Sequence, residues 1–165
     1  MIKTIMETNC FASGARRSRA AVAVVNSLGA VDLVAAIVAE DAQASVTEAV
    51  RRELQAHEYV RVFELGTDSP PGLPAAGPSN SDESQRHRDI YLWGGVDAAI
   101  ERDPEGFEHA VEELCSTITR GGHTGWNAHT VRRVVIIGGS ALLDRLDHLV
   151  HGIQRGVRYR YILVQ

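Results

Sequence analysis

The chain has 165 residues, a formal net charge of −4, 44% apolar and 23% charged residues, an ordinary globular balance. That length suits one compact domain, residues 1–165, which can bury roughly 70% of its unfolded surface and needs no covalent staples. The acidic balance argues against a nucleic-acid module working through bulk positive charge. Aromatic residues, at 5%, are too few for a base-stacking platform, and two cysteines make neither a disulfide framework nor paired zinc ligands. Lys3 is the sole lysine, so a phosphate-binding P-loop is excluded, and no GxGxxG dinucleotide fingerprint occurs.

Residues 1–15 contain Lys3, Glu7 and Asn9 and no sustained apolar run, unlike a secretory signal. Residues 20–39 follow Arg16, Arg17 and Arg19 and approach the length of a membrane span. Asn26, Ser27, Gly29 and Asp32 interrupt that stretch, and an aspartate near mid-span costs roughly 2.5–3.5 kcal/mol. A soluble, cytoplasmic protein without membrane partners is expected. Within the stretch, 21–25 and 31–38 read as two strands around a turn, although their alanines suit helices nearly as well; at least one strand is expected. Ser45 and Glu48 have capping-box spacing and open a helix through Val46, Ala49, Val50 and Leu54. Residues 60–65 read as a strand. Residues 66–88 hold Pro70, Pro71, Pro74 and Pro78 among Gly, Ser, Asn and Asp, a composition that cannot bury enough apolar surface to order itself. This segment is expected to be a flexible loop within the domain.

The second half reads more cleanly. Residues 90–93 form a short apolar strand ending at Gly94-Gly95. Asp103-Pro104 starts a helix, with aspartate as cap and proline in the first turn. Phe107, Ala110, Val111, Leu114, Cys115 and Ile118 recur along it at helical spacing. Residues 131–137 contain the unbroken apolar run Val134, Val135, Ile136 and Ile137, which fits a strand covered on both faces. Gly138-Gly139 follows, Ser140 is placed to cap the next helix, Gly156 to end it, and 159–164 forms the last strand. The β-α-β-α-β order has crossovers long enough for parallel strands. The expected class is α/β, a three-layer Rossmann-like fold with a mostly parallel sheet. A terminal strand with one open side would also allow a homodimer.

Ligands of open parallel sheets bind beyond the carboxyl ends of the strands. The predicted strands put Gly94, Gly95 and Asp97 on the same rim as Gly138, Gly139 and Ser140. Glycine lets a ligand approach the backbone, and a helix beginning at Ser140 aims free N–H groups and a positive dipole end at that place. An anionic, nucleotide-derived small molecule is the expected ligand. Gly139→Asp is expected to abolish its binding and spare the fold. The alternative is that these glycines only make tight turns and Ser140 only caps a helix. No cofactor and no catalytic set is nominated.

Other groups compete for a role. Asp144, His148 and His151 share one helix face, opposite the leucines, where polar residues are expected anyway. Cys115 reads as a small core residue. His87 and Asp89 flank Arg88 and could form a general-base pair if the loop closed. A non-catalytic interaction or regulatory module would instead use Trp126, in the polar loop 121–130, or Arg132, Arg133, Arg155, Arg158 and Arg160 near the C-terminus.

Residues 134–146, VVIIGGSALLDRL, resemble the strand–Gly-Gly–helix segment of dihydrofolate reductases. Residues 94–100, GGVDAAI, are similar to the glycine loop of macro domains, which bind ADP-ribose. Both stretches are short, and the chain is assigned to neither family. Both resemblances imply a nucleotide-like ligand held against glycine-rich backbone.

Overall fold

The computed structural model describes residues 4–8, 13–29, 31–58, 60–65, 88–120, 131–153 and 157–164. Its strands are Thr4–Thr8 (β1), Leu33–Val38 (β2), Val60–Glu64 (β3), Arg88–Trp93 (β4), Val131–Gly138 (β5) and Tyr159–Val164 (β6). Its helices are Ser13–Ser27 (α1), Gln43–Gln55 (α2), Asp97–Arg102 (α3), Pro104–Arg120 (α4) and Ser140–Gly152 (α5). The strands make one six-stranded sheet in the order β1-β6-β2-β5-β4-β3, and every pairing is parallel.

Side-chain alternation divides the core in two. Val34, Ala36 and Val38 of β2 pack with Ala20, Ala21 and Val24 of α1 and Val46, Val50 and Leu54 of α2. Leu33, Ala35 and Ile37 of the same strand face the other way, toward Ile100 of α3, Val111 of α4 and Leu146 of α5. The result is the expected three-layer α/β arrangement. The chain crosses the sheet in one direction from β1 through β2 to β3 and returns from β4 through β5 to β6. Right-handed crossovers therefore place the two helix sets on opposite faces.

Several expectations need correction. Residues 21–25 lie in α1, not in a strand. Buried Ala20, Ala21, Val24 and Leu28 recur every three to four positions, and that spacing outweighs the local apolar run. In 31–38 the strand is real, β2, and all six of its residues are buried. Ser45 is no N-cap: α2 already begins at Gln43, and the Ser45 hydroxyl donates back to the Ala42 carbonyl at 3.0 Å. Asp103 does cap α4, accepting from the Gly106 N–H at 3.0 Å. Arg88 belongs to β4 rather than to the loop, and α5 ends at Gly152, where Ile153 turns extended, rather than at Gly156. β6 has no open side, because β1 pairs along one flank and β2 along the other, so an exposed β6 cannot supply a dimer contact. Residues 20–39 run from α1 into the central strand, and among the described residues no helix is long and apolar enough to cross a membrane.

Candidate functional site

In a parallel sheet flanked by its connecting helices, every helix starts at the carboxyl rim and ends at the amino rim. β4 and β5 run in register, Trp93 opposite Ile136, so Gly94-Gly95 and Gly138-Gly139 leave the sheet at the same carboxyl rim. β2 and β5 are neighbours whose following helices go to opposite faces, which makes the gap between their ends the topological switch point.

That gap is filled by the protein itself. α5 starts after Gly139, which has no side chain to cap it. Asp97, at the start of α3, takes the role from a distance. Its carboxylate accepts from the Gly139 N–H at 3.0 and 2.8 Å and from the Leu142 N–H at 3.1 Å. The buried Gln43 amide, at the start of α2, donates to Asp97 Oδ2 at 2.7 Å. The first turns of three helices thus converge on one carboxylate. Its charge is stabilised by oriented N–H donors and the positive end of α5.

The glycines fit this reading. A Cβ on Gly139 would lie 2.7 Å from Gln43 Nε2, 2.9 Å from Asp97 Oδ2 and 3.2 Å from the Val38 carbonyl. A Cβ on Gly138 would lie 2.8 Å from Val96 Cγ2 and 2.9 Å from Leu142 Cβ. A side chain at Gly139 would thus have to displace the Gln43 amide and the Asp97 carboxylate, so Gly139→Asp would act on this internal contact as well as on any ligand. Ser140 is exposed, is the first residue of α5 and makes no capping hydrogen bond. The glycine turn does receive a carboxylate, as its geometry suggests, and the carboxylate is Asp97.

The open volume lies beside this plug, over the ends of β3 and β4. A cavity of about 490 Å³ is lined by Glu40, Gln43, Thr47 and Arg51 from the α2 side and by Glu64, Gly94 and Gly95 from the strand ends. Gly95 has φ +62, and a Cβ there would meet nothing within 4 Å. Its backbone therefore borders open space in a conformation that suits glycine. Gly94 is tighter: a Cβ would lie 2.6 Å from Thr47 Cγ2, and this close approach lets α2 sit against the end of β4. The Arg51 guanidinium pairs with both Glu48 and Glu64. It is the only basic group among the described lining residues, against the carboxylates of Glu40 and Glu64.

The six residues nominated from sequence therefore separate. Gly94 and Gly95 border the cavity; Asp97, Gly138, Gly139 and Ser140 form the plug and its turn. Sequence reasoning missed Gln43, Thr47 and Arg51. They recur every four residues along α2, on the row beside buried Val46, Val50 and Leu54, where polar residues read from the sequence as the edge of a solvated face.

Other candidates fall away from this rim. Asp89 sits at the amino end of β4, buried and held bidentately by Arg61 at 2.8 and 3.0 Å, too far along the strand to serve the glycine rim. His87, Trp126 with its loop 121–130, Arg155 and 66–87 lie outside the described residues. Burial pushes the Cys115 thiol up to about 12, with Asp32 and Glu112 adding to the effect, so it stays protonated and unreactive in the core. Asp144, His148 and His151 are exposed on α5, and no metal-binding group of three appears among the described residues. Comparison of the chain with protein-family models, with curated proteins and with solved structures finds no match.

Proposed function

We propose that this protein binds a small nucleotide-derived molecule in the carboxyl-rim cavity, with one anionic group of the ligand on Arg51 and its hydroxyls toward Glu40 and Glu64. The observation that carries this reading is the half-buried Gly95, φ +62, where a Cβ would meet nothing within 4 Å, bordering a cavity of about 490 Å³ that Arg51 also lines. That volume is within the usual range of small-molecule sites, and the location at the ends of parallel strands is where such folds hold their ligands. The charge balance narrows the ligand. One guanidinium shared with two carboxylates favours a ligand with a single anionic group and hydroxyl donors, and disfavours a polyphosphate.

Nucleoside monophosphates, the matching nucleosides and the matching triphosphates, compared by calorimetry, test this directly. The monophosphate is expected to bind best, and Arg51→Ala to weaken it by at least tenfold, about the loss expected for one charge-assisted hydrogen bond. Arg51 is partly exposed, so the same change should cost at most about 1 kcal/mol of stability. Gly95→Leu places a side chain in the cavity at an expected backbone cost of about 1–2 kcal/mol and should block binding in a folded protein. Undiminished affinity in Arg51→Ala, or heat from none of the panel, would remove the proposal.

A further inference from the structure

A second cavity, of about 340 Å³, opens at the amino rim, on the face covered by α1 and α2. Its walls are of two kinds. Leu54, Val60 and Ile90 supply apolar surface, two of them fully buried; Arg88, Arg133 and His57 supply cationic or hydrogen-bonding groups. We propose that this is a second binding site, taking a small monocarboxylate with an apolar body. The carboxylate would sit on Arg88 and Arg133, and the body against Leu54 and Ile90.

The local electrostatics support an anion here. Arg133 is anchored: its Nε donates to the Leu28 carbonyl at 3.1 Å, and its Nη1 lies 2.9 Å from Asp32 Oδ1. Burial, followed by the nearby charges of Arg158 and Arg88, lowers its affinity for its own proton, and Asp32 opposes this. Arg88, by contrast, stands exposed at the first residue of β4. Among the described residues, its register neighbour Val60 brings it no carboxylate. Asp89, next in the chain, faces the opposite side of the sheet with Tyr91. An incoming carboxylate would meet two guanidiniums while relieving their mutual repulsion. The apolar wall explains why a bare inorganic anion should bind less well than an amphiphilic one, since only the latter removes hydrocarbon from water. This site is on the opposite rim from Arg51 and stands or falls independently of the nucleotide reading.

Octanoate and 1-octanol, which share an apolar chain and differ in charge, separate the alternatives by calorimetry on the full chain. Octanoate is expected to bind, and 1-octanol and acetate each to bind at least tenfold more weakly. Arg88→Ala should weaken octanoate on the order of tenfold or more. His57→Glu, which adds a carboxylate at an exposed position of the same wall, should do likewise. Both positions are exposed, so melting temperatures should stay near that of the unaltered protein. Equal binding of octanoate and 1-octanol, full affinity in both variants, or no heat at millimolar octanoate would each overturn the proposal.

Discussion

The two rims of this sheet solve opposite electrostatic problems. At the carboxyl rim helices begin and offer unpaired N–H groups, so a carboxylate, Asp97, is held by two backbone N–H groups and an amide, with no cationic side chain among the described residues. At the amino rim helices end and offer carbonyls, and arginines dominate: Arg133 bonds the Leu28 carbonyl after α1, while Asp32 and Asp89 are each held by an arginine. The polarity of an all-parallel fold therefore sorts residue types before any ligand is considered. A carboxylate at the carboxyl rim and a cluster of arginines at the amino rim are both what the helix ends call for. The two proposed sites lie beside these arrangements: Arg51 and Gly95 at one rim, Arg88 and Arg133 at the other.

Two substitutions break the comparison and one sharpens it. Asp89→Ala should have the largest effect. It removes a carboxylate whose side chain is 2% exposed, strips Arg61 of its partner and takes away the register neighbour of buried Arg132. Arg61 itself is exposed, so the cost is that of two charge-assisted hydrogen bonds lost at the buried carboxylate, about 3 kcal/mol. In a chain of this size that lowers the melting temperature by roughly 6–12 °C, readable in a thermal melt. Asp97→Ala should cost less, about 2 kcal/mol, because its partners are one capping turn and one amide. Urea titration measures that loss, and hydrogen exchange should show the Gly139 and Leu142 amides exchanging faster while Ile136, in mid-strand, changes little.

The last effect is confined to alkaline pH. The folded thiol of Cys115 keeps its proton up to about 12, whereas the unfolded thiol releases it near 9. Between these values the folded state binds more protons than the unfolded state, so stability falls as pH rises through that window. Tyr91 and Tyr161, whose phenols are raised chiefly by burial, add to the same trend. Cys115→Ala should decline less steeply across that window in urea titrations at stepped pH.

Legibility from sequence followed the same physics. The unbroken run Val134–Ile137 and the Phe107–Ile118 stripe each admit one reading, a doubly covered strand and an amphipathic helix, and both are found. The alanine-rich segment before Gly29 does not, because small residues pack equally well in either form; only the placement of α1 against β2 and β6 decides it. β1, Thr4–Thr8, carries no apolar run and is defined by its pairing with β6. At the site, the common rim of Gly94 and Gly138 followed from parallel strands and is present. The role of Asp97 was hidden because its partners Gln43 and Gly139 are remote in sequence, and one glycine turn looks alike whether it receives a foreign carboxylate or an internal one.

Asp97 occupies the Gly138–Gly139 turn, so the proposed ligand is left the Gly94–Gly95 cavity. An amide chemical-shift map recorded while adenosine 5′-monophosphate is added tests it most directly. The expected result is a set of shifts centred on Thr47, Arg51, Gly94 and Gly95, with Gly139 and Leu142 little changed. Shifts centred on Gly139 and Ser140, with the Gly95 amide unmoved, would contradict it.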